Sequence, residues 1–168
     1  MASTLPQCRL IVILRDPVDR AFSHHNHERA LGFEDLSFEQ AIEREPTRLA
    51  GEEERILEDP SYHSFAHQHH SYLARGRYAE QLERWLEHIP PERLLVLSAE
   101  DLFVEPVVVV AQAQDFLDLP RETPADLSAK NARAYTPIPE RTRVSLSERF
   151  AADNQRLYEL VGRDFGWG

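Results

Sequence analysis

Residues 10–27, LIVILRDPVDRAFSHHNH, constrain the fold more than any other stretch of this chain. A five-residue apolar run from Leu10 to Leu14, rich in β-branched side chains, has the length and composition of a buried strand. Arg15-Asp16-Pro17 interrupts it, and a helix is expected to follow at once. Asp16 suits the N-cap, Pro17 the first helical position, and Asp19 places an acid in the first turn. A strand feeding directly into a capped helix is half of a βαβ unit, and open α/β sheets bind ligands outside the carboxyl ends of such strands. At about 100° per residue, Arg20, Ser23 and His27 share one side of the helix, whereas Val18, Ala21, Phe22 and His25 turn toward a core. Arg15 at the strand end, together with that stripe, has the chemistry of an anion pocket, because a guanidinium fork matches phosphate oxygens and a hydroxyl adds a donor. The same residues are equally consistent with ordinary punctuation, in which Arg15 pairs with Asp19 and Ser23 is simply solvated.

Length and charge narrow the possibilities. The chain has 168 residues, enough for one domain with a real core, and carries no internal repeat. Its net charge of −10 argues against nonspecific nucleic-acid binding, so any arginines that hold an anion must be gathered locally. Lys130 is the only lysine among 19 Lys+Arg. Cys8 is the single cysteine, which excludes an intrachain disulfide and suggests a reducing compartment. Neither a membrane-length apolar run nor a cleavable signal is visible, and a cytoplasmic location is expected.

Farther along, Gly32 is expected to end the first helix, and Ser37 to cap a short one carrying Leu36, Phe38, Ala41 and Ile42. Residues 43–63 are polar and acidic with Pro46, Gly51 and Pro60 as breakers, and read as a surface excursion or a mobile loop. His63 and His67 have the i,i+4 spacing of a helix-borne metal pair, but no further ligand pattern accompanies them, so solvated or core-edge histidines and no metal are expected. Residues 71–89 form the clearest amphipathic helix, with Tyr78, Leu82, Trp85, Leu86 and Ile89 as a core stripe. Arg93–Ser98 is a second buried-strand candidate, which makes a parallel sheet the expected architecture. Glu105-Pro106 opens a helix ending near Phe116-Leu117. Residues 121–139 read as loop, and Pro139–Val161 as a helix closed by Gly162, with Phe165 and Trp167 tucked back.

The ordered set RDPVDRAFSHHNH, YLARGRYAEQLERWLEHIPPERLLVLSAEDL, FLDLP, KNARAYTPIP and NQRLYELVGRDFGW resembles the sulfotransferase superfamily, in particular its bacterial and heparan-sulfate-type branch, over about residues 8–167. The resemblance implies an α/β, P-loop-like three-layer fold, with a parallel sheet flanked by helices, helix-rich and incomplete at its amino-terminal edge. It also implies a single partial domain over residues 1–168. Transfer of a sulfuryl group from 3′-phosphoadenosine 5′-phosphosulfate to a hydroxyl or amine, on a carbohydrate or small metabolite, is the implied activity. The family's 3′-phosphate element, an Arg at a strand end and a Ser eight residues later, falls on Arg15 and Ser23. Its late basic loop falls on Lys130, Asn131 and Arg133. His27 occupies the position of an acceptor-side histidine and is the candidate catalytic acid/base, a role weighed against simple packing or solvation. The family's Lys-Ser/Thr loop around the 5′-phosphosulfate has no counterpart before Arg15. The chain therefore resembles the carboxyl-terminal two-thirds of such an enzyme, and a noncatalytic remnant retaining part of the nucleotide site is the alternative. Acceptor and oligomeric state are not encoded legibly.

Overall fold

The structure, a computed structural model, describes residues 7–127 and 136–168. Lys130, Asn131 and Arg133 lie outside them. The described residues form two compact units: residues 7–15, 79–127 and 156–166 in the first, and residues 16–78, 136–155 and 167–168 in the second.

The first unit holds the sheet. β1 (Leu10–Leu14) and β2 (Leu94–Ser98) pair in parallel, in a register running from Leu10↔Leu94 to Leu14↔Ser98. The expected parallel sheet is present, with two strands among the described residues. Burial differs from expectation: Leu14 and Leu97 are buried, whereas Ile11 and Ile13 are 37% and 51% exposed. A five-residue strand paired along one edge has too few neighbours to cover both faces, so alternate side chains stay open. α6 (Ala99–Val104) follows β2 and is capped by Ser98, whose hydroxyl accepts from Asp101 N–H at 3.1 Å. α7 (Pro106–Phe116) starts on the proline, as expected, because a first-turn residue has no helical partner for its missing N–H. Ion pairs tie Arg163 to Asp101 and Arg156 to Glu83, and Arg9 reaches both Asp118 and the Phe116 carbonyl.

The second unit is helical. α1 (Pro17–Leu31) begins where expected: the Asp16 carboxylate accepts from Val18 N–H at 2.8 Å and Asp19 N–H at 3.1 Å. It ends at Gly32, whose φ of 79° is the left-handed conformation that a glycine adopts without steric penalty. α2 (Phe38–Leu49) has the full capping box, with the Ser37 hydroxyl facing Gln40 N–H and the Gln40 side chain returning to Ser37 N–H. Val18, Ala21, Phe38, Ala41, Tyr72, Leu73, Ile138, Leu146 and Phe150 form its core.

Residues 43–63 are not a mobile excursion. They complete α2, then form α3 (Glu52–Glu58) and a short turn leading to α4 (Phe65–His69). Pro46 sits inside α2 and removes one backbone donor, but the helix is held on either side of it. Glu45 is buried and accepts from Leu73 N–H and Ala74 N–H, both at 2.7 Å, while Arg48 pairs with Glu34. Glu52 likewise accepts from Tyr62 Oη at 2.8 Å and from the Ser64 hydroxyl. His63 precedes α4, so His63 and His67 do not share one helix despite their spacing.

The long helix expected over residues 71–89 is shorter. A 3₁₀ turn at Ala74–Gly76 precedes α5 (Tyr78–Leu86), because Leu73 and Ala74 give their N–H groups to Glu45 rather than to a helical turn. Tyr78, Leu82 and Ile89 are buried as expected, but Trp85 is 44% exposed. α8 (Glu140–Val161) closes on Gly162 at φ 68°, and Trp167 is buried against Tyr78 with ring centroids 5.9 Å apart. No helix of the described residues is long and apolar enough to cross a membrane.

Gly76 marks the tightest packing of the second unit. A Cβ there would lie 2.8 Å from the Phe150 ring and 3.0 Å from Pro17 Cβ. Phe150 is 2% exposed and has no room to withdraw. Gly76→Ala is therefore expected to destabilise the chain by about 1–3 kcal/mol, the usual cost of overpacking, read as a lower urea midpoint at unchanged slope.

Candidate functional site

Arg15 closes the first unit's strand, directly after Leu14 and one residue beyond its pairing with Ser98. It is partly buried. This is the carboxyl end of both strands, where parallel sheets place their ligands. A surface cleft of the unit, lined by Gln7, Arg9, Glu92, Arg93, Phe116, Leu117 and Asp118, lies instead toward the strands' amino ends.

In the second unit, α1 carries the other expected residues. Val18, Ala21 and His25 turn into the core, as the helical stripe requires. Ser23 is partly buried, and His27, one turn on, is exposed. Arg20 is drawn inward: its guanidinium donates to the Tyr72 carbonyl, and its Nε is buried with no hydrogen-bond partner among the described residues. Burial is the main influence lowering its pKa, with Tyr78 and Glu45 opposing and Arg75 reinforcing. Asp19 bonds Arg143 of α8. The stripe of Arg20, Ser23 and His27 thus grades from anchored, through half-covered, to solvent.

One histidine on the same helix is held neutral. Burial, then the charge of Arg20, presses His24 down to about 4 against the pull of Glu28, with Arg75 adding to the depression. His25 Nε2 lies 3.0 Å from the Leu36 carbonyl and must carry the proton, since a carbonyl only accepts. Burial lowers this ring's pKa as well.

Three buried carboxylates organise the segments behind the helix. Glu28 lies between two imidazoles, His24 Nε2 at 3.2 Å and His69 Nδ1 at 2.8 Å. Glu34 accepts from Tyr72 Oη at 2.8 Å, from Leu36 N–H at 3.1 Å and from both terminal nitrogens of Arg48. Glu45 takes the two amides already described. The sequence reading passed over these carboxylates, leaving the patch histidines solvated or at the core edge and Glu28 and Glu34 without a role. The available signal was the i,i+4 spacing of His24 and Glu28 on the inward side of a helix. No group of three or more His, Cys, Asp or Glu among the described residues is arranged to hold a metal ion.

Comparison with known proteins identifies the family. The sulfotransferase domain family matches residues 2–136. The chain is 30% identical over 183 residues to heparan sulfate glucosamine 3-O-sulfotransferase 3B1 of Mus musculus, covering 95% of this chain and 43% of that protein. It is 26% identical to the membrane-associated sulfotransferase kil1 of Dictyostelium discoideum, covering 98% of this chain and 49% of that protein. A solved sulfotransferase from Alicyclobacillus acidocaldarius superposes with a TM-score of 0.73 at 32% identity, over 98% of this chain and 59% of that one. The chain belongs to the sulfotransferase family, and its helix-rich α/β fold with a small parallel sheet is of that kind. It spans about half the length of the curated relatives it matches.

The Glu34 carboxylate has a measurable signature. Burial disfavours its charge, but hydrogen bonds from Arg48, Leu36 N–H and Tyr72 outweigh that, lowering its pKa from 4.5 to about 2. Its contribution to stability is therefore complete above pH 4.5 and is lost as the pH falls toward 2. Glu34→Gln is expected to cost about 1–3 kcal/mol at pH 7, with the gap to the unsubstituted chain narrowing as the pH falls through that window in denaturation curves.

Proposed function

We propose that this chain contributes to sulfuryl transfer from 3′-phosphoadenosine 5′-phosphosulfate to a hydroxyl or amine, with a carbohydrate or small metabolite as acceptor. The observation that carries the reading is the β1–Arg15–Asp16–α1 junction within a family match spanning residues 2–136. In this reading the Arg15 guanidinium pairs with the donor's 3′-phosphate at the strand end, and the Ser23 hydroxyl adds a second hydrogen bond from α1. Both groups suit a phosphate, since each offers donors and neither is fully buried. Lys130, Asn131 and Arg133 are proposed to add further donors.

The reaction needs little covalent chemistry from the protein. The acceptor's oxygen or nitrogen attacks sulfur in line, the bond from sulfur to the bridging oxygen breaks, and 3′-phosphoadenosine 5′-phosphate leaves. What this chain's residues supply is position and charge: Arg15 and Ser23 anchor one end of the nucleotide so that the other end is presented reproducibly. His27, exposed on α1, is proposed to face the acceptor side. A carbohydrate acceptor is supported by relatives named as heparan sulfate glucosamine 3-O-sulfotransferases and as a bifunctional heparan sulfate N-deacetylase/N-sulfotransferase.

Calorimetric titration with adenosine 3′,5′-bisphosphate tests the anchor. Arg15→Ala is expected to weaken binding at least tenfold, about 1.4 kcal/mol or more, and Ser23→Ala to weaken it by a smaller factor. Unchanged affinity in Arg15→Ala removes that residue from the site.

A further inference from the structure

Two acids sit beside the residues proposed to hold the donor's 3′-phosphate. Asp16 follows Arg15 directly, and Asp19 precedes Ser23 by four residues on α1. Residues four apart share a helix face, one turn or about 6 Å along the axis. Uncompensated, these carboxylates would repel a phosphate and compete with it for the arginine. The backbone compensates Asp16, whose carboxylate accepts the first amides of α1 at 2.8 and 3.1 Å. Asp19 is compensated from another helix of the same unit, where Arg143 of α8 donates to its Oδ1.

Local preference disfavours a cation at the place Arg143 occupies. It lies in the first turn of α8, whose amide dipoles favour acids, with its own N–H on the Pro139 carbonyl at 3.0 Å. The adjacent Thr142 hydroxyl donates to Glu39 of α2 at 3.1 Å and holds that turn in place. The hydrogen bond to Asp19 raises the Arg143 pKa against its burial, and the charges of Asp19, Asp16 and Glu140 add to the rise. For Asp16 burial is the main influence raising the pKa, and Arg143 is among those opposing it. The Arg143 and Asp19 side chains are 35% and 34% exposed, so their pairing contributes little to folding. A cation set against its own helix dipole, for little gain in stability, is the kind of local conflict found at functional sites.

We propose that Arg143 is a positioning residue for the donor, offsetting the charge of Asp19 so that the 3′-phosphate can settle against Ser23 and Arg15. This rests on the donor-site reading above. Arg143 acts through Asp19, by the field it sets at the phosphate, and not as a phosphate ligand. Its influence is therefore confined to nucleotides that carry a 3′-phosphate.

Calorimetric titration of the full chain with adenosine 3′,5′-bisphosphate and adenosine 5′-monophosphate, at low and high salt, provides the test. Arg143→Gln is expected to weaken bisphosphate binding about tenfold at low salt and much less at high salt. Arg143→Lys, which keeps the charge, should recover most of the affinity, and the monophosphate should change less than about twofold in either variant. The Asp19→Asn, Arg143→Gln double variant removes both charges and should return bisphosphate affinity to within about twofold of the unsubstituted chain. A double variant as weak as Arg143→Gln alone overturns the proposal, and so does an equal loss for both nucleotides. If Arg143→Gln does not fold, Asp19→Asn decides: tighter bisphosphate binding supports the proposal, and unchanged or weaker binding overturns it. Bisphosphate binding that falls in Arg15→Ala but not in Arg143→Gln overturns the proposal alone. Absence of bisphosphate binding by the unsubstituted chain overturns the donor-site reading, and the proposal with it.

Discussion

The second unit depends on carboxylates that have been taken out of water and then fully employed. Burying an ionised glutamate costs several kcal/mol unless hydrogen bonds replace the lost hydration. Glu34 meets that condition with an arginine, a tyrosine hydroxyl and backbone N–H groups, and so fastens the turn after α1 to both α2 and the segment at Tyr72. Glu45 meets it with the amides of Leu73 and Ala74, which fixes where the chain bends before its 3₁₀ turn. Glu28 meets it with two imidazoles. Removing a partner leaves a buried carboxylate less fully compensated, which is why these bonds specify a single arrangement of the short helices that apolar packing alone would leave loosely placed.

That arrangement determines what α1 presents. With Val18, Ala21 and His25 in the core, the helix cannot rotate, so Ser23 stays partly covered and His27 stays in solvent. The inward pull on Arg20 by the Tyr72 carbonyl makes this arginine, on the same stripe as Ser23, a structural anchor. In the first unit the fixing interaction is the parallel register, which sets Leu14 opposite Ser98 and leaves Arg15 as the first residue beyond the ladder. Each unit thus delivers its own donor group to a defined place on its own framework.

Much of this was legible in local chemistry. The Asp16 cap, the left-handed Gly32, the Ser37 capping box, Pro106 at a helix start and Gly162 at a helix end were each fixed by conformational preferences that act within a few residues. What was not legible came from long-range compensation. Glu45 and Glu52 read as surface charge because an acidic run ordinarily stays hydrated, and nothing local announces that amides near Leu73 or hydroxyls at Tyr62 and Ser64 will replace the water. The helix expected from residue 71 failed for the same reason, since its first amides were already engaged by Glu45. Trp85, Ile11 and Ile13 fit an apolar pattern and remain open, because periodicity records which face is apolar but not what is available to cover it. The position of Arg15 at a strand end and of Ser23 on a helix followed from local pattern, whereas the Glu28–His69 pair joins residues 41 positions apart and had no sequence signature.

The central claim is that the strand-end arginine and the helix serine recognise a 3′-phosphate. Its most direct measurement compares, by calorimetry on the same chain, the affinity of adenosine 3′,5′-bisphosphate with that of adenosine 5′-monophosphate. The account expects the bisphosphate to bind at least tenfold more tightly, with the difference fading as salt screens the phosphate's charge. Equal affinities for the two nucleotides would contradict it.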